Sequence, residues 1–247
     1  MVATATTPST LEPTSTHTQT PEATPTTCSL SFEDVPAGST FQPYITYLAC
    51  RNIISGYLCG GAGEPCGPNS LPYFRPNANI TRAQIAKIVS NAAGFNEPVG
   101  AQQFADLLPG STFYDFAWRL ASRNIIQGYP CGNPGEPCGS GNLPYFRPAG
   151  AVSRGQLTKM AVLAFGFNEQ ISGQTFEDVP VGSTFYLYIE RMSTRYIING
   201  YPCGSPNEPC GPGNLPYFRP NNPVTRGQTA KIINLSSLQA TPTAITR

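Results

Sequence analysis

The chain repeats itself at a fixed offset of 72 residues, and a period that long makes each copy one supersecondary unit that must bury its apolar face against its neighbours. Phe32-Glu33-Asp34-Val35 returns as Phe104-Ala105-Asp106-Leu107 and as Phe176-Glu177-Asp178-Val179. Asn52 to Tyr57 returns as Asn124 to Tyr129 and, with Tyr196 in place of Asn, as Tyr196 to Tyr201. Leu71 to Pro76 returns as Leu143 to Pro148 and Leu215 to Pro220, and Thr81-Arg82-Ala83-Gln84 returns as Ser153 to Gln156 and Thr225 to Gln228. The copies divide the chain into residues 28–96, 97–168 and 169–237. The flanking stretches 1–27 and 238–247 read as Thr/Pro-rich linker and tail, too poor in apolar area to offset the entropy of ordering.

Two helices are legible within each copy. Phe41, Tyr44, Ile45 and Leu48 fall at i, i+3, i+4 and i+7, an apolar stripe that predicts a first helix ending near Arg51. Thr81 and Gln84 stand at the spacing of a capping box, ahead of the stripe Ile85, Ile88, Val89 and Ala92. The second helices are expected to end near Gly94, Gly166 and Ser236. The Tyr73-Phe74-Arg75 segment between them pairs weakly or is plain loop. About 60 ordered residues with two short helices make a marginal core, so the copies are expected to pack together. The fold class is therefore mainly α: helix-loop-helix repeats packed as a pseudo-threefold spindle, with stapled loops projecting outward.

The eight cysteines fit this plan. Each long loop holds a pair with six residues between its members, Cys59 with Cys66, Cys131 with Cys138 and Cys203 with Cys210, and the Gly and Pro between them favour a reversal within disulfide reach. Cys28 and Cys50 have no counterparts in the other copies, and as two unmatched cysteines in one copy they point to each other. Zinc is the competing reading, disfavoured because the gap is wider than the usual two to four residues and no histidine is near. Cysteine usage suits an oxidising exterior, although the N-terminus reads as Thr/Pro-rich instead of as a signal peptide.

A formal net charge of +1, with 12% charged residues, gives no long-range field to draw in nucleic acid, and no apolar run is long enough to span a membrane. Catalysis also finds little support. The single histidine, His17, lies in the linker, so Ser–His and Cys–His schemes lack a base. Of the recurring carboxylates, Asp34, Asp106 and Asp178 lie just ahead of a turn, where Asp commonly bonds local amides, and Glu64, Glu136 and Glu208 lie within the Cys-bounded loop. No cofactor or metal is expected.

Arg82, Arg154 and Arg226 stand in the first turn of each second helix, where the helix dipole disfavours a cation. Each is open to two readings, a structural pairing with Asp34, Asp106 or Asp178 and a grip on a ligand carboxylate, and the two are compatible. Lys87, Lys159 and Lys231 lie further along, as part of an anion patch or as solvated charges. Phe74, Phe146 and Phe218 are core side chains or stacking platforms.

The order Phe-x-Asp-Val, apolar helix, Ile-Ile-x-Gly-Tyr, Phe-x-Pro and Thr-Arg-Ala-Gln resembles the S-layer homology domain over residues 30–237, as a set of three. The resemblance implies a non-catalytic, extracellular anchor that holds proteins to cell-wall or surface polysaccharide, with S-layer or other envelope proteins as further partners. It implies grooves between repeats that bind an acidic sugar through Asp34, Gly56 and Arg82, Asp106, Gly128 and Arg154, and Asp178, Gly200 and Arg226. The sequence departs from the family in placing Phe41, Phe113 and Phe185 where a Trp is usual, Gln84, Gln156 and Gln228 where Glu is usual, and a Cys-bounded loop where a short turn is usual. A structural module that assembles with proteins and binds no glycan is the alternative.

Overall fold

The computed structural model describes residues 28–240, so the expected linker 1–27 lies outside it. Six helices follow one another: α1 (Gln42–Cys50), α2 (Arg82–Ala92), α3 (Tyr114–Ser122), α4 (Arg154–Phe165), α5 (Tyr186–Thr194) and α6 (Arg226–Gln239). The described residues contain isolated β-bridges but no strand. Of the expected tail 238–247, Leu238 and Gln239 belong to α6, which runs three residues beyond Ser236.

Each even-numbered helix opens on the predicted capping box. Thr81, Ser153 and Thr225 accept from the backbone N–H of Gln84, Gln156 and Gln228, whose side chains accept the N–H of the cap residue in return. The N–H groups at the first two helical positions find acceptors in another copy. Arg82 and Ala83 donate to the carbonyls of Gly150 (2.9 Å) and Pro148 (3.0 Å). Arg154 and Gly155 donate to Asn222 and Pro220, and Arg226 and Gly227 to Ala78 and Pro76. Amide N–H groups that a helix leaves orphaned are thus satisfied by the next copy's loop, the third copy returning to the first.

The same cycle runs through the residues just ahead of the caps. Ile80 N–H donates to Val224 (3.1 Å), Val224 to Val152 (2.9 Å) and Val152 to Ile80 (3.3 Å). All three side chains are fully buried. Around them α2, α4 and α6 touch one another, and α2 packs on α3, α4 on α5 and α6 on α1. The core is one continuous cluster drawn from every copy, as expected for units too small to close a core alone.

The long loops are fastened at two levels. Disulfides join Cys59 to Cys66, Cys131 to Cys138 and Cys203 to Cys210, and a fourth ties Cys28 to Cys50 at the end of α1. Below them, Tyr57 and Tyr73 exchange both backbone hydrogen bonds at 2.8 Å, as do Tyr129 with Tyr145 and Tyr201 with Tyr217, so the segment does pair. Phe74, Phe146 and Phe218 are at most 1% exposed and are core residues. No helix is long and apolar enough to cross a membrane among the described residues.

Candidate functional site

The recurring aspartates and arginines converge on these buried phenylalanines. Asp106 accepts the backbone N–H of Phe146 (2.6 Å) on one carboxylate oxygen and that of Arg147 (2.7 Å) on the other. Asp34 does the same for Phe74 and Arg75, and Asp178 for Phe218 and Arg219. Two charge-assisted bonds hold the chain while Arg75, Arg147 and Arg219 sit in the left-handed region (φ 60°, 57° and 62°), which costs a non-glycine residue about 1 kcal/mol or more. Those arginines then fork onto the loop glutamates. Arg75 donates through Nε and Nη2 to both oxygens of Glu64 (2.6 and 2.7 Å), with Arg147–Glu136 and Arg219–Glu208 alike. Each guanidinium also lies 3.8 Å over a ring, Arg75 over Tyr57, Arg147 over Tyr129 and Arg219 over Tyr201.

The arginines of the capping motif cross between copies. Arg82 donates through Nε to the Phe146 carbonyl (2.8 Å) and through Nη2 to the Gln127 carbonyl (3.1 Å). Arg226 reaches Phe74 (2.7 Å) and Ser55 (3.0 Å) of the first copy, and Arg154 reaches Phe218 (2.8 Å). Their exposure is only 6–7%, and no ion pair joins them to the aspartates among the described residues. Burial pulls their pKa below the usual arginine value, the nearby Tyr and Asp partly opposing it, and a guanidinium so placed remains charged. Each is thus a buried cation held by carbonyl dipoles, without a carboxylate in contact.

Beside each of these cations lies a groove built from all three copies. The first is formed by Ile53 to Tyr57, Gln84 and Lys87 of the first copy, Phe113 of the second and Arg226 of the third, and encloses about 150 Å³. The second sets Arg82 and Phe185 against Gly128, Tyr129, Gln156 and Lys159, with about 230 Å³. The third sets Arg154 and Phe41 against Gly200, Tyr201, Gln228 and Lys231, with about 200 Å³. No acidic side chain lines any of them.

Close packing shapes these walls. A Cβ on Gly56 would stand 2.7 Å from the Phe32 ring and 2.8 Å from the Tyr73 carbonyl, so only glycine lets the floor pass there. Phe41 and Phe185 press on Gly227 and Gly155, where a Cβ would meet either ring at 2.5 Å. The Gln84 amide turns its nitrogen to the Tyr57 hydroxyl (2.7 Å), with longer equivalents from Gln156 (3.5 Å) and Gln228 (3.3 Å).

Of the residues expected from sequence, Gly56, Gly128 and Gly200 line the grooves, and Arg82, Arg154 and Arg226 line those of the following copy. Asp34 and Asp106 lie behind the walls, holding the Phe-Arg segment. The expected alternative of an Arg–Asp ion pair is replaced by a shared peptide between them. Sequence reasoning undervalued three groups: the lysines, which line the grooves with no ion pair among the described residues; the tyrosines of Gly-Tyr; and the phenylalanines just ahead of the odd-numbered helices. Their signal was their recurrence at the repeat offset, but only the packing of one copy on the next gathers them.

Residues 175–230, most of the third copy, match the family model described as the S-layer homology domain. Over 175 aligned residues the chain is 27% identical to Cell surface glycoprotein 1 of Acetivibrio thermocellus, an alignment covering 65% of this chain and 6% of that much longer relative.

Proposed function

We propose that the three copies are S-layer homology repeats at residues 28–96, 97–168 and 169–237, arranged as a pseudo-threefold spindle, and that the module is a non-catalytic anchor at the cell surface. Its ligand is an acidic cell-wall or surface polysaccharide held in the grooves between repeats. The observation that carries this reading is the charge arrangement: each groove joins a buried Arg, and a Lys with no ion pair among the described residues, to an aromatic wall, with no carboxylate among its lining residues. An anionic sugar supplies the missing countercharge, and Phe41, Phe113 and Phe185 offer apolar faces to its ring. The match to the S-layer homology domain and the relative's name as a cell surface glycoprotein support the location. The non-catalytic reading is supported by the engagement of Asp34, Asp106 and Asp178 with amides and of Glu64, Glu136 and Glu208 with arginines.

Sedimentation of the oxidised chain with purified cell-wall and surface polysaccharide tests the proposal, with Lys87→Ala/Lys159→Ala/Lys231→Ala as the variant that spares the buried arginines. Binding by the parent that falls at least about tenfold in the variant is expected. A parent that stays in the supernatant overturns it. A protein-assembly role is the second reading, favoured by the exposed Leu108, Val181 and Tyr196, which lie outside the grooves. Concentration-dependent self-association without glycan uptake would support that role.

A further inference from the structure

A further cavity among the described residues is separate from the three grooves. It is open to solvent and holds about 500 Å³ between the Cys203–Cys210 loop and the segment from Tyr217 to Asn222. That size falls within the range of small-ligand pockets, about 300–1,000 Å³. The fixed charges along it are already matched within the protein. Glu208 accepts two bonds from Arg219 and a third from the Ser205 hydroxyl (3.1 Å), and both oxygens of Asp178 are taken by the amides of Phe218 and Arg219. The other face of Arg219 is covered by the Tyr201 ring.

What the cavity still offers is uncharged. Asn207, Asn221 and Asn222 line it, and their side-chain amides make no hydrogen bond to the described residues. Each amide presents donors and an acceptor side by side, the pattern that pairs with neighbouring hydroxyls. Tyr217 and two prolines, Pro206 and Pro220, supply the apolar lining. The corresponding positions are Gly63, Asn77 and Ala78 in the first copy and Gly135, Ala149 and Gly150 in the second. The third copy alone sets three amides around its stapled loop.

We infer that the stapled loop of the third copy is a second carbohydrate site, selective for neutral saccharides and independent of the cationic grooves. An anion there meets two carboxylates, a cation finds them already paired, and an apolar ligand leaves three amides without partners. A polyhydroxylated, uncharged chain satisfies all of them.

The test uses the whole oxidised chain, isotope-labelled, titrated by NMR with neutral tetrasaccharides of glucose, galactose, mannose and N-acetylglucosamine. At least one is expected to shift the side-chain amide signals of Asn207, Asn221 and Asn222 and to saturate near a Kd of about 1 mM. The variant Asn207→Gly/Asn221→Ala/Asn222→Gly, which gives this loop the residues of the second copy, is expected to lose that binding by about tenfold or more. The triple lysine variant of the grooves is expected to keep it. Silence from every neutral probe, shifts produced only by an anionic glycan, or shifts that survive in the asparagine variant each overturn the inference.

Discussion

Arg82 and Asp106 hold opposite ends of one residue without touching each other: Asp106 takes the backbone N–H of Phe146 at 2.6 Å, and Arg82 donates to its carbonyl at 2.8 Å. Arg226 with Asp34 at Phe74 and Arg154 with Asp178 at Phe218 repeat the arrangement. Asp106 also accepts the N–H of Arg147 at 2.7 Å, so the Phe146–Arg147 peptide is gripped at its carbonyl by a cation from one copy and at its N–H by an anion from the next, which makes the Phe-Arg segment the joint between copies. The motif residues most readily assigned to ligand binding therefore carry structural weight as well.

Removing the anion from this joint should destabilise the whole module. Asp106→Ala leaves two amides without their acceptor and releases the left-handed Arg147. A loss of about 2–3 kcal/mol in urea unfolding is expected, with Asp106→Asn intermediate because its single carbonyl can keep one bond. Equal stability of parent and both variants would show that Asp106 does not fasten the segment.

The three buried arginines should not be equivalent. Arg82 and Arg226 each bond a second carbonyl through Nη2, whereas Arg154 has one side-chain bond, to Phe218. Arg154→Ala is expected to lower stability by about 1 kcal/mol less than either Arg82→Ala or Arg226→Ala. If glycan binds as proposed, Arg154 has more donors free for it, and its loss should weaken the third groove most. Chemical denaturation of the single variants decides the first point and binding to the polysaccharide the second.

Two glycines make opposite predictions. Gly56→Ala forces a methyl against a backbone carbonyl and the Phe32 ring, and should cost about 1–3 kcal/mol and constrict the first groove. Gly155→Ala has the Phe185 ring, a side chain and not backbone, as its nearest neighbour, and the first copy already accommodates Ala83 at the equivalent position. Gain from helix propensity should offset the shift of that ring, leaving stability within about 1 kcal/mol of the parent. Thermal melts of the two variants check both, and similar melts would refute the distinction.

Acid should loosen the stapled loops before the core. The Arg75 fork lowers the Glu64 pKa, and Arg147 and Arg219 do the same for Glu136 and Glu208, through hydrogen bonds and charge. A carboxyl depressed in the folded state stabilises it fully above its unfolded pKa, about 4.3, and the contribution is lost as pH falls through the lower folded value. NMR signals of Arg75, Arg147 and Arg219 Nε–H should therefore be unchanged from pH 7 to 5 and collapse below about pH 4. Collapse near neutral pH would contradict the fork geometry.

Reduction should act unevenly. The Cys28–Cys50 bridge closes the longest stapled loop, and by the chain-entropy relation its loss costs about 3.4 kcal/mol, against about 2.5 kcal/mol for each Cys-bounded loop. Cys28→Ser/Cys50→Ser should lower the melting temperature more than Cys131→Ser/Cys138→Ser. The reverse order would place the stabilisation in the loops.

Much of this protein is written locally in its sequence. The fixed offset defines the copies, the apolar stripes and capping boxes place the helices within a few residues of their observed ends, the cysteine spacing gives the three loop disulfides, and the lack of counterparts for Cys28 and Cys50 gives the fourth. Each of these depends on residues close in the chain or on recurrence, which a single sequence displays. Partnership between copies is different in kind. That Arg226 closes on Phe74, that Lys87 shares a groove with Phe113, and that Asp106 faces a peptide instead of a guanidinium depend on how one copy docks on the next. The helix dipole made an arginine at the start of α2 look misplaced; tertiary packing supplies the reason, because the adjoining loop brings carbonyls to both its backbone N–H and its side chain. Docking of this kind arises from small cores that must be completed by neighbours, and it leaves no periodicity along the chain from which to read it.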